Sequence, residues 1–191
     1  MNLSPLQIMP FTTAKAFGGW LKKNHAASTG IWIQFFKKGS GVKTITYADA
    51  LDEALCCGWI DSQVKRFDDQ SYLQRFGPRK PKSIWSKINR QHVARLIEEG
   101  RMTPAGLSHM TSAKADGRWE GAYDSPKNMK VPEDFLLALA KHKKAEHFFK
   151  SLNKANMYAI AWRLQTAKKP ETRKKRMDMI LAMLKKGEKF H

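Results

Sequence analysis

The chain has 191 residues, 42% of them hydrophobic and 10% aromatic, which is enough to bury a core and excludes global disorder. Its 35 Lys and Arg against 17 Asp and Glu leave a formal charge of +18. That excess favours anionic partners: nucleic acid, acidic headgroups, phosphorylated metabolites or acidic proteins. No apolar run approaches the roughly 18 residues of a membrane-spanning helix.

In chain order, residues 1–11 read as a Pro-broken, extended lead-in. Thr12 or Thr13 can cap a helix reaching His25, with Ala14, Phe17, Trp20 and Leu21 on one face. IWIQFFKK after Gly30 is β-branched and aromatic over a strand length, and Gly39-Ser40-Gly41 is a turn without the lysine and spacing of a phosphate loop. Thr46 and Asp49 form a capping-box pattern at the start of YADALDEALCC, and Gly58 stands where a left-handed cap is expected. WIDSQVKRF and SYLQRF flank the polar turn Asp68-Asp69-Gln70 and predict an antiparallel hairpin. PRKPKS is then an extended basic loop.

Ser83 is expected to cap a helix running to Glu99, with Ile84, Ile88 and Leu96 or Ile97 inward. Thr103-Pro104 opens another helix, ending near Ala115. DGRWEGAYDSPKNMK lacks periodicity and reads as a linker whose Trp119 and Tyr123 pack down. Four helical segments follow, PEDFLLALAKH, KAEHFFKSL, KANMYAIAWRLQTA and ETRKKRMDMILAMLKKG. In the third, Tyr158, Ala161, Trp162 and Gln165 mark one face, and in the fourth Met177, Ile180, Leu181 and Leu184 mark another. The fold class is α+β: a small antiparallel or mixed sheet with packed helices, followed by an all-helical C-terminal module. The expected division is a core domain over 1–116, a linker packed on it over 117–130, and the helical module over 131–191.

The quoted motifs ITYADALDEALCCGWIDSQ, DDQSYLQRFGPRKPKSIWSKIN, RMTPAG, DGRW and AYDSP, with the C-terminal NMYAIAWRLQTAKKPETRKKRMDMILAMLKKGEKFH, resemble the YdeI/OmpD-associated family, also labelled bacteriocin-protection proteins. A departure is Cys57, where an aromatic residue is expected in many relatives. The resemblance implies a small bacterial cytosolic protein linked to envelope stress or bacteriocin tolerance. It carries over no catalytic residue.

The residues themselves supply no catalytic motif, and an enzyme is not the favoured reading. The six histidines are scattered, and His142 and His147, five apart, do not share a helical face, so neither a metal site nor a cofactor is expected. Adjacent Cys56 and Cys57 cannot bridge without strain and read as buried thiols in a reducing compartment. MNLSPLQIMPFTTAKAF lacks a basic-then-apolar secretory pattern, and the protein is expected to be cytoplasmic. Asp61, beside Trp59, could act as a base in an apolar pocket, although pairing with Arg75 or Arg79, or accepting backbone N–H bonds, is the commoner role.

Basic charge concentrates in two places. Residues 62–95 hold nine Lys and Arg against Asp68 and Asp69, a net +7, and residues 168–189 hold nine against Glu171, Asp178 and Glu188, a net +6. Two readings follow. The first is a non-enzymatic binding protein whose basic surface, with Lys168, Lys169, Arg173, Lys174, Lys175 and Arg176 as contacts, engages an anionic partner, most simply nucleic acid. The second is a pocket for an anionic or phosphorylated small molecule near Trp59, Asp61, Arg75, Arg79, Lys80, Lys82 and Trp85.

Overall fold

The computed structural model describes residues 6–191. Among them are a four-stranded mixed sheet and eight α-helices, so the α+β class holds. The chain divides into two compact units, one of residues 1–84 and 89–120, the other of residues 85–88 and 121–191.

In the first unit the strands are β1 (Ile8–Pro10), β2 (Ile31–Phe36), β3 (Trp59–Arg66) and β4 (Ser71–Pro78), in the order β1-β2-β4-β3. β1 runs parallel to β2, and the other pairings are antiparallel. The hairpin of β3 and β4 forms as the sequence predicts. β1 does not follow from it: part of the expected lead-in is a strand, because three residues ending in Pro10 become one only when β2 supplies the partner. Residues 1–5 of that lead-in lie outside the described residues.

Strand alternation places Ile31, Ile33 and Phe35 of β2, Trp59 of β3, and Tyr72 and Phe76 of β4 on one side. There they meet Phe17 and Leu21 of helix α1 (Ala14–Asn24) and Ala50 and Ala54 of helix α2 (Tyr47–Cys56). Each Ile, Leu or Phe side chain so removed from water contributes about 1.5–3 kcal/mol. Thr13 caps α1, its hydroxyl accepting from Ala16 N at 3.2 Å, and Thr46 caps α2, accepting from Asp49 N at 3.1 Å. Gly58 takes φ 75°, the left-handed turn that releases the chain from α2 into β3.

Helix α3 spans Lys87–Glu98, a turn later than the expected start at Ser83. The reason is non-local. Ser86 forms a β-bridge with Tyr123, whose N–H donates to the Trp85 carbonyl at 3.0 Å and whose carbonyl accepts from Lys87 N at 2.8 Å. With the helix displaced, Val93 and Leu96 become its buried residues, while Ile84, Ile88 and Ile97 are exposed. Helix α4 (Pro104–Ala115) starts at the predicted Thr103-Pro104.

The second unit holds helices α5 (Glu133–Ala140), α6 (Lys143–Lys150), α7 (Lys154–Gln165) and α8 (Pro170–Lys185). Their core is Phe135, Leu139, Phe149, Ile160, Leu164, Ile180, Leu181 and Leu184, with Met177 packed against it. The expected face of α7 is used differently. Trp162 meets Tyr123 edge-on at 6.1 Å and Gln165 Nε2 donates to Asp124 at 2.7 Å, so that face anchors the 123–124 segment while Ile160 and Leu164 enter the core.

Candidate functional site

The hairpin sorts its candidate residues by strand alternation. Trp59 is buried on the helix-covered side, and its indole N–H donates to the His25 carbonyl at 3.1 Å. Asp61, opposite Phe76 on the same side, accepts from the Tyr47 hydroxyl at 2.9 Å. Among the described residues Asp61 joins no ion pair, so the expected partnership with Arg75 or Arg79 does not form. Alternation explains half of this: Arg75, one residue before Phe76, points to the opposite face.

Arg79 explains the other half. It is buried, and its guanidinium donates to the Ile84 carbonyl at 2.9 Å. Arg118, also buried, donates from Nη1 to the neighbouring Ser83 carbonyl at 2.9 Å, from Nε to Asp116 at 2.6 Å, and from Nη2 to Ser112 Oγ at 3.2 Å. Burial, with the Arg79 and Arg118 charges nearby, holds the His109 imidazole below its ordinary pKa. Lys80 and Lys82 remain exposed on the loop so pinned. Trp85 is buried in the second unit.

A charged cluster that sequence reading does not assemble lies on α2 and α3. Asp52 accepts from His92 Nδ1 at 2.7 Å and from Arg95 Nη2 at 2.5 Å. Burial alone would raise the Asp52 carboxyl, but the hydrogen bonds and charges of Arg95 and His92 outweigh it and hold it below the usual range. Asp52 is 40 positions from His92 and 43 from Arg95, so only docked helices bring it to them. Cys56 and Cys57 are buried free thiols, and burial pushes Cys56 up to about 12 and raises Cys57 as well, which disfavours the reactive thiolate in both. Among the described residues no group of His, Cys, Asp and Glu is arranged to hold a metal.

The basic stretch entering α8 separates into two kinds of residue. Arg173 forms an ion pair with Asp134 through both terminal guanidinium nitrogens, and Arg176 donates to the Arg163 carbonyl at 2.7 Å and to Thr166 Oγ1 at 3.2 Å. Lys168, Lys169, Lys174 and Lys175 are exposed and take part in none of the ion pairs among the described residues.

These features define a small basic α+β protein with a helical C-terminal module and no helix long and apolar enough to cross a membrane among its described residues. Residues 9–109 match the family model of a domain of unknown function (DUF8412), and residues 128–187 match the model described as bacteriocin-protection, YdeI or OmpD-associated. The first match spans more than half of the chain, which therefore belongs to the family of that domain, and its C-terminal module is a YdeI/OmpD-associated domain. The N-terminal motifs GWIDS and PRKPKSIWS fall within the first match, and the YdeI/OmpD-associated match is confined to the C-terminal part. No curated protein and no solved structure matches the chain.

Proposed function

We propose that this protein is a non-enzymatic binder of an anionic partner, nucleic acid in the first instance. The observation that carries the reading is the division of labour at the start of α8. The two arginines there are committed to the fold, whereas the four lysines are exposed and join no ion pair among the described residues. Lys168 and Lys169 flank the start of a helix, the positive end of its dipole, where a cation is disfavoured by about 0.3–1 kcal/mol, and Lys174 and Lys175 follow in the second turn. Glu171 is the one carboxylate in that first turn. A phosphate backbone would relieve this repulsion, and the net +18 supports the same reading. A cytoplasmic location belongs with it, since that is where nucleic acid is available and where buried, unbridged Cys56 and Cys57 need no protection from oxidation.

The test is fluorescence anisotropy with labelled oligonucleotides between 50 and 200 mM salt. Binding is expected to weaken steeply across that range. Replacing Lys168, Lys169, Lys174 and Lys175 by Gln is expected to shallow the log–log salt slope by about three units, four phosphate contacts at 0.7–0.9 each. Absence of binding at 50 mM salt, where attraction is strongest, overturns the reading.

A further inference from the structure

The side of the sheet opposite α1 and α2 carries its own ordered set of side chains. Register places Ile8 of β1, Trp32 of β2 and Arg75 of β4 in one row. Gln34, Leu73 and Lys65 of β3 form the next row, and Phe36 and Ser71 the third. Trp32, Gln34, Phe36 and Arg75 are half-buried, Ile8 and Lys65 are exposed, and the Lys65 ammonium lies 4.8 Å above the Trp32 ring. The strands contribute one carboxylate, Asp61, and it faces the helices. Of the turn carboxylates, Asp68 is taken up by Ser71 and the Gln70 N–H, and Asp69 by Arg66.

A β-bulge contributes to this arrangement. Between Asp61 opposite Phe76 and Val64 opposite Gln74, β3 spends one residue more than β4. Without it Lys65 would fall on the helix-covered side, because a one-residue slip exchanges the faces of a strand. The extra residue is what brings the ammonium over Trp32.

We propose that this sheet face is a platform for single-stranded nucleic acid. An unpaired base takes the place of the Lys65 ammonium over Trp32 and a second stacks on Phe36, while Lys65, swung aside on its flexible stem, and Arg75 take the phosphates alongside. Trp32 and Phe36 are four residues apart on one strand, about 13 Å, room for a nucleotide between them. Gln34, its amide donating to Ser71 Oγ at 3.0 Å, sits between the two rings with its carbonyl oxygen as an acceptor for a base edge. Charge complementarity selects a polyanion, and the flat aromatic surface selects one with unpaired bases, since a duplex keeps its base faces stacked on each other. The proposal rests on the anion-binding reading above and gives it a substrate class and a surface in the first unit.

The experiment compares labelled 12-mers of oligo(dT) and oligo(U) with a 12-base-pair duplex at 50 mM salt. Both single strands are expected to bind more tightly than the duplex. Trp32→Ala is expected to weaken single-strand binding by about 5- to 150-fold, the loss of one base stack, with circular dichroism unchanged. Lys65→Ala is expected to shallow the single-strand salt slope by about 0.7. Independently of any variant, a 5-bromouracil-substituted strand irradiated on the wild-type protein is expected to crosslink to the peptide carrying Trp32. Salt-dependent binding that ignores Trp32→Ala, or crosslinks confined to residues 168–175, overturns the platform and leaves the anion-binding reading standing. No binding of any strand at 50 mM salt overturns both.

Discussion

Arg79 and Arg118 donate to two consecutive carbonyls, those of Ile84 and Ser83, each at 2.9 Å. Two buried guanidinium groups thus fix the end of a loop whose own side chains, Lys80 and Lys82, point to water. The basic character of PRKPKS therefore splits: Arg79 belongs to the architecture and the lysines to the surface. Arg118 also carries Asp116 and Ser112.

Arg118→Met keeps most of the side-chain volume but removes every one of these donors. The Ser83 carbonyl loses its guanidinium partner, and a buried group left unsatisfied costs about 1–3 kcal/mol. Asp116 is half-exposed and recovers solvation, so its lost pairing adds little. The expected result is a lower urea midpoint at unchanged m-value. An unshifted midpoint would mean that the loop is held without Arg118.

Asp52 gives a prediction with a pH sign. Its folded pKa lies below the unfolded value near 3.8, so its stabilisation is fully present above that pH and is lost as pH falls through the folded pKa. Asp52→Asn is expected to lower stability at pH 6 by about 1.5–3 kcal/mol, the range for hydrogen bonds to a charged group. The gap to wild type should narrow as pH is taken from 5 toward 3. Urea titrations at several pH values measure it, and a gap that widens in acid would contradict the assignment.

What the sequence discloses depends on how local the cause is. The capped start of α2, Gly58, the β3–β4 hairpin and Thr103-Pro104 are written in neighbouring residues, and each forms as read. β1, the late start of α3 and the Asp52–His92–Arg95 cluster each need a partner far along the chain, and no local pattern encodes them. The candidate residues divide in the same way. Asp61 looked like a partner for arginine because both are near in sequence, yet alternation sends Arg75 through the sheet and leaves Tyr47 to bond Asp61. Trp32 was legible only as a strand residue. Its importance appears with the register, when Lys65 and Arg75 arrive beside it from two other strands.

Gly106 tests the packing of α4 against the end of α2. A Cβ there would stand 2.4 Å from the Cys56 carbonyl oxygen and 2.8 Å from that of Leu55, both backbone atoms with little freedom to yield. The same Cys56 oxygen accepts from Thr103 N at 3.1 Å and Thr103 Oγ1 at 2.7 Å, so any shift of α4 disturbs its own cap. Alanine gains about 1 kcal/mol in helix propensity. Overpacking costs about 1–3 kcal/mol and the strained cap adds to it, so Gly106→Ala is expected to be net destabilising. A raised melting temperature would show that α4 can move away freely.

The basic stretch of α8 provides the last prediction, which separates stability from binding. Arg176→Ala removes donors to the Arg163 carbonyl and Thr166 Oγ1, bonds that tie the start of α8 to the end of α7. The last carbonyls of a helix need such partners, and their loss is expected to cost about 1–2 kcal/mol. Lys174→Ala and Lys175→Ala remove exposed charges that join no ion pair among the described residues, and each is expected to change stability by less than about 0.5 kcal/mol. Thermal melts of the three variants decide this. If the lysine variants unfolded as early as Arg176→Ala, these lysines would be part of the fold and could not be the exposed contacts assigned to an anionic partner.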